Sequence, residues 1–209
     1  MGVPNLIICA FYVGHHYDIC AKYLKDDCER LGYEYDISSP PSLHNFIKNR
    51  VYGVDYRNWV CRYKPVFIME MLNKHKRPVL YLDVDSRVRS VMKPGCFRGV
   101  DIGISHEPHD LDAQIFNAIA SCLYFNSLRK PDSQVVNFLK VWDRKCKLIP
   151  KNTADHWFLK TTLVDFIDSY RIAINYLDVE RPFASRRGCE EPVVIHNARK
   201  YRREYKKWE

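Results

Sequence analysis

The sequence predicts an α/β fold: a three-layer sandwich in which a central mixed, mostly parallel β-sheet is flanked by helices. Two observations carry this expectation. Continuous apolar runs alternate with stretches of helical periodicity through the first half of the chain, and the runs lack the polar alternation of a strand with one wet face. The second half instead offers two apolar runs with no clear helical pattern between them, which adds an antiparallel or mixed portion to the sheet. A chain of 209 residues, 46% of them hydrophobic, suits a single domain with a sizeable core.

Leu6 to Val13 is the first buried strand, and Gly14 follows it. Ile19, Tyr23, Leu24, Cys28 and Leu31 then recur at helical spacing, with Gly32 as the stop. A second strand is expected over Tyr33 to Ile37, closed by the Ser38-Ser39-Pro40-Pro41 turn. Pro65 fits the first turn of another helix, where its missing N–H costs nothing. Phe67, Met71 and Leu72 give that helix an apolar side before Lys74-His75-Lys76 ends it. Val79 to Leu82 is the third strand of the alternation. Beyond it, Asp101 to Ser105 and Ala118 to Phe125 are expected strands, Pro131 to Cys146 and Ala154 to Phe166 helices, and Arg171 to Leu177 and Pro192 to His196 strands.

Composition narrows the function classes. Leu6 to Val13 is too short to span a bilayer and lacks the basic leader of a secretory signal. Eight cysteines contain no Cys-x-x-Cys pair, which argues against a structural zinc site, and several lie inside apolar runs as buried thiols do. A reducing, cytoplasmic compartment is the expectation. The net charge of +8 is uneven: residues 197–209 hold six Lys and Arg against two Glu. Such a tail attracts phosphate in any form, or is simply a solvated helix.

The most informative segment is Val79-Leu80-Tyr81-Leu82-Asp83-Val84-Asp85-Ser86-Arg87. Two aspartates at i and i+2, leaving the carboxyl end of a buried strand, stand where open α/β sheets bind ligands. Their hard oxygens suit Mn²⁺ or Mg²⁺. A metal-dependent phosphatase could use this layout, with the first Asp as nucleophile. It would, however, place a small hydroxyl residue where Arg87 stands, and would put the motif on the first strand rather than the third. A basic nucleic-acid-binding domain using the tail is the alternative from another class.

The order of elements resembles the GT-A glycosyltransferases, chlorovirus members included. Tyr63-Lys64-Pro65-Val66-Phe67-Ile68-Met69-Glu70-Met71-Leu72 followed by Pro78 to Arg87 is similar to the core of the nucleotide-diphospho-sugar transferases. Asp155-His156-Trp157-Phe158-Leu159 and Val193-Val194-Ile195-His196-Asn197 extend the likeness over most of the chain. The resemblance implies a single GT-A domain over 1–209, Rossmann-like, with a nucleotide-binding half at about 1–87 and an acceptor and catalytic half at about 88–209. It implies a sugar–nucleotide donor, such as UDP-glucose or UDP-rhamnose, and an oligosaccharide or glycoprotein acceptor. No nucleic acid and no membrane span are expected, and further domains of a longer chain are potential partners.

On the same resemblance Asp85 is the first metal ligand. Asp83 is a second ligand, or meets the ribose or a metal-bound water. His196 is either a further ligand or a helix-capping or core histidine. Asp155 is either the base of an inverting transfer or a helix cap. Phe11, Tyr12, Arg62, Lys64 and Val84 are the expected donor contacts, and Arg199, Lys200 and Arg202 would close over the diphosphate. Trp157 is an acceptor platform or a core residue. His15, His16 and Asp18 are assigned to a loop or cap, since adjacent histidines do not readily face one ion.

Overall fold

The computed structural model describes residues 4–41, 43, 60–106, 118–128, 134–148, 155–166, 172–177, 184–185 and 194–196. The first strand, β1 (Ile7–Phe11), is buried at every position. A 3-10 turn at His15–Tyr17 leads into α1 (Asp18–Leu31), which ends at Gly32 with φ 74°, its N–H bonded to the carbonyls of Cys28 and Glu29. Then come β2 (Glu34–Ser38), α2 (Lys64–His75) with Pro65 in its first turn, and β3 (Val79–Leu82). The second half adds β4 (Ser86–Val88), β5 (Ile102–His106), β6 (Ala118–Phe125), α3 (Val135–Leu148) and α4 (Asp155–Phe166). Three short strands complete it: β7 (Ile174–Tyr176), β8 (Ala184–Ser185) and β9 (Val194–His196).

Six strands form the main sheet in the order β2-β1-β3-β6-β5-β7. β1 pairs in parallel with β2 and β3, β6 runs antiparallel to both β3 and β5, and β7 is parallel to β5. Only β6 therefore opposes the other five, and the sheet is mixed but mostly parallel, as the sequence predicts. A second sheet, β4-β9-β8, was not foreseen, because β4 and β8 are too short to leave a periodic signal.

Strand alternation sends successive side chains to opposite faces, so the sheet builds two cores. Ile7, Cys9, Phe11, Val79, Tyr81, Leu123 and Phe125 pack on one face against α2, α3 and α4, where Phe67, Trp142 and Phe158 are fully buried. Ile8, Ala10, Leu80, Leu82, Cys122 and Tyr124 pack on the other against α1 and the β4–β9 pair, through Leu24, Cys28, Val88 and Val194.

The inner face of α1 differs from the expected one. Ile19 and Tyr23 are exposed, whereas Cys20, Ala21, Leu24, Asp27 and Cys28 are buried. The cause is Asp27, whose carboxylate enters the core because it is fully partnered there. Oδ2 accepts from Arg87 Nε at 2.5 Å and from the Val88 N–H at 3.0 Å, while Oδ1 accepts from Arg87 Nη2 at 2.8 Å and Arg30 Nη2 at 3.2 Å. Burial pushes this carboxyl up, but the hydrogen bonds from Arg87 and Arg30 outweigh it and hold the pKa below the usual carboxylate value.

Gly103 lets β7 and its following residue close over β5. A Cβ there would lie 2.4 Å from Leu177 Cδ2 and 3.0 Å from Tyr124 Cβ. Gly103→Ala is expected to cost roughly 1–3 kcal/mol by overpacking. A urea midpoint unchanged from the parent protein would show that Leu177 moves aside freely.

Candidate functional site

Because β1 and β3 are parallel, with Cys9 level with Tyr81, their carboxyl ends open on the same edge of the sheet. β6 runs the other way and brings its amino-terminal residues to that edge. Phe11, Tyr12, Asp83 and Asp85 are gathered there, together with Lys64 at the start of α2. The Asp83 N–H donates to the Ser121 carbonyl at 2.9 Å, and the Ser86 N–H donates back to the Asp83 carbonyl at 2.9 Å, closing a tight turn over 83–86. The two aspartates thus belong to one rigid corner between β3 and β4.

Asp83 is half-buried and held on one oxygen, where Oδ1 accepts from Tyr81 Oη at 2.8 Å and pairs with Lys64 Nζ at 2.9 Å. Lys64 itself is buried, donates to the Ala120 carbonyl at 3.1 Å, and lies 5.6 Å from the centre of the Tyr81 ring. Asp85, also half-buried, stands two residues on. β4 runs antiparallel to β9 with Ser86 opposite His196, so the backbone of His196 lies across the ladder from the residue that follows Asp85. Asp83 and Asp85 thus put two hard carboxylates, the kind of donor a divalent cation takes, at the corner to which the backbone of His196 returns. Among the described residues no three His, Cys, Asp or Glu side chains form a ready cluster.

Compared by sequence, the chain matches no family model and no curated protein. Compared by structure, it is similar to a glycosyltransferase involved in the glycosylation of the major capsid of PBCV-1. The TM-score is 0.61 at 10% identity, over 99% of this chain and 100% of that one. It is also similar to mouse xyloside xylosyltransferase 1 in its apo form, with a TM-score of 0.51 at 10% identity, over 94% of this chain and 98% of that one. The fold is that of a glycosyltransferase.

Within this GT-A-like fold four of the expected donor contacts have protein partners of their own. The Phe11 ring is in the core, 5.0 Å from Phe67, 5.3 Å from Tyr63 and 5.9 Å from Tyr81, because the last residue of β1 still faces α2. Val84 is buried in the opposite core, so its side chain serves packing. Arg62 is buried. Its Nη1 donates to the Cys146 carbonyl at 3.2 Å and its guanidinium lies 5.0 Å from the Phe158 ring, tying α2's approach to α3 and α4. Lys64 is at the site, but as the counter-ion of Asp83. Tyr12 remains half-buried, its hydroxyl pKa raised by burial first and then by Asp18.

Asp155 opens α4, and Trp157 beside it is 44% exposed with its ring edge-on to Phe158 at 5.5 Å. A core role for Trp157 is thereby set aside. His15 pairs with Asp18 at 3.2 Å on the surface, in keeping with the loop assignment. Arg199, Lys200 and Arg202 lie outside the described residues. Sequence reasoning missed Asp27 and Tyr81 as partners of this corner. For Asp27 the signal was an acid on the same helical stripe as Cys20, Leu24 and Cys28.

Lys64→Met should destabilise the fold by roughly 1–3 kcal/mol, less than the loss of a fully buried pair because the Asp83 side chain keeps 24% of its surface. Adding Asp83→Asn should restore part of it. A double-mutant cycle in urea tests the coupling, and strictly additive losses would mean the two charges ignore each other.

Proposed function

We propose that this chain is a metal-dependent glycosyltransferase. It moves a sugar from a nucleotide-diphosphate donor, most simply a UDP-hexose or UDP-deoxyhexose such as UDP-glucose or UDP-rhamnose, to a glycan acceptor with inversion. The observation that carries this is the register of β4 on β9, which draws His196 to the Asp83–Asp85 corner at the carboxyl edge of a glycosyltransferase-like sheet. Residues far apart in the chain converge there, and a structural turn has no need of them. The phosphatase alternative loses ground, because Arg87 is committed to Asp27 at the position where such an enzyme needs a small hydroxyl.

Asp85 and His196 are assigned as ligands of Mn²⁺ or Mg²⁺. Asp83, already bonded to Lys64 and Tyr81 through Oδ1, has its second oxygen for the ribose or for the ion. A bound divalent cation supplies charge neutralisation to the departing diphosphate. Asp155 accepts the proton of the acceptor hydroxyl as its oxygen bonds to the anomeric carbon, while the electron pair of the sugar–phosphate bond leaves with the diphosphate. The exposed indole of Trp157, two residues on from Asp155, offers a sugar-stacking face. Tyr12 is the remaining candidate for contact with the base. The basic residues Arg199, Lys200 and Arg202 are assigned to the diphosphate. Among the described residues no helix is long and apolar enough to cross a membrane, and a cytoplasmic setting is part of this proposal.

Three substitutions test the assignment. Asp85→Ala and Asp85→Asn should both abolish Mn²⁺-dependent nucleotide-sugar turnover and the Mn²⁺-dependent part of the thermal shift given by UDP, with circular dichroism unchanged. Turnover at the parent rate by either variant would remove Asp85 from the metal site. Asp155→Asn should lower transfer roughly 10²–10⁴-fold with UDP affinity retained. A lower melting temperature at full activity would instead make Asp155 a helix cap, worth on the order of 1 kcal/mol.

A further inference from the structure

β4 is three residues long, too short to keep its place by pairing alone, yet it carries the chain directly away from Asp85 and receives β9. On its α1 side the strand is fastened by side chains. Asp27 takes the Val88 N–H and both nitrogens of the Arg87 fork, and Arg30 Nη2 donates to the Val88 carbonyl at 2.9 Å. The Arg87 guanidinium also lies 5.1 Å from the Tyr23 ring, which fixes the plane of the fork. Both backbone polar groups of Val88 are thus held by α1, and Arg87 is two residues from Asp85.

An acid is a costly choice for this position. Asp27 has a side chain only 4% exposed, on a helical stripe otherwise made of Cys20, Ala21, Leu24 and Cys28, where an apolar residue would pack without a desolvation cost. What the carboxylate adds over a leucine is direction. Four hydrogen bonds fix the height and rotation of β4 relative to the sheet. The same strand sets Asp85 by covalent connection and His196 by the Ser86–His196 pairing.

We propose that Asp27 is a positioning residue for the cation and diphosphate site. Through Arg87 and Val88 it locks β4, and with β4 the spacing of Asp85 from His196. The inference rests on the metal assignment made above and adds to it a residue on the opposite core face of the sheet that touches neither metal nor donor. Support for a ligand-bearing strand acts as outer-shell partners of metal ligands do, whose loss typically costs 10–100-fold in metal affinity.

The experiment compares parent protein, Asp27→Asn and Arg30→Gln, each first shown to be folded by circular dichroism at the working temperature. Mn²⁺ binding is read from the free-ion electron paramagnetic resonance signal, and UDP in Mn²⁺ and uridine alone are titrated by calorimetry. Asp27→Asn should bind Mn²⁺ roughly 10–100-fold more weakly. UDP affinity in Mn²⁺ should fall with it, and uridine affinity should stay unchanged. Arg30 is half exposed, so Arg30→Gln is expected to fold even if Asp27→Asn does not, and should lose Mn²⁺ affinity in the same direction to a smaller extent. Parental Mn²⁺ affinity in the folded variants, with only the melting temperature lowered, would reduce Asp27 to a core fastener. Parent protein that takes up no Mn²⁺ would overturn the metal assignment and this inference together.

Discussion

Lys64 carries its ammonium into the protein at the first turn of α2, where burial and the helix dipole both oppose a cation. Asp83 at 2.9 Å makes that position tenable, and the Ala120 carbonyl takes another of its protons. One interaction therefore joins the start of α2 to the end of β3 and the beginning of β6. The aromatic cluster of Phe11, Tyr63, Phe67 and Tyr81 fills the space beneath, and Tyr81 reaches through it to share the same carboxylate oxygen. The Asp83–Asp85 corner is built on this pair. Its first aspartate is held from below, and the second follows in the same turn.

The division of labour extends to the thiols. Seven cysteines among the described residues stand outside any disulfide, and five of them are buried. Burial drives Cys28 up to about 12 and raises Cys9 further, so neither forms a thiolate at neutral pH. They are packing residues of the sheet and α1. Among the described residues the carboxyl edge presents carboxylates, a lysine and a phenol, hard oxygen and nitrogen groups rather than thiols.

Much of this was legible in the sequence for a definable reason. β1 and β3 are buried on both faces, and such strands read as unbroken apolar runs that cannot be mistaken for polar loops. Gly32 ends α1 and Pro65 opens α2 through backbone chemistry that a residue name reveals directly. Asp83 and Asp85 were found because an apolar run delivers them. What escaped depends on pairing over distance. The Lys64–Asp83 pair, the Arg62–Phe158 contact and the Asp27–Arg87 fork link positions with no local relation. Lys64 and Arg62 were therefore expected at the donor, as exposed cations would be, and Asp27 was not singled out. The packing of the Phe11 ring was not legible for the opposite reason: position at a strand end does not tell which face it serves.

The antiparallel ladder between β4 and β9 has a consequence for how the molecule comes into being. The β2–β1–β3 pairings join strands from the first part of the chain, so that ladder can begin to form while the partners of β3 in the second half are still emerging from the ribosome. Ser86 meets His196 only once the strand nearest the C-terminus among the described residues has been made and has returned across the domain. Such a contact spans most of the second half of the chain, so closing it carries a loop entropy that local pairs escape, and it should be among the slow steps of folding. The proposed metal site would then be assembled last, after the scaffold that supports it.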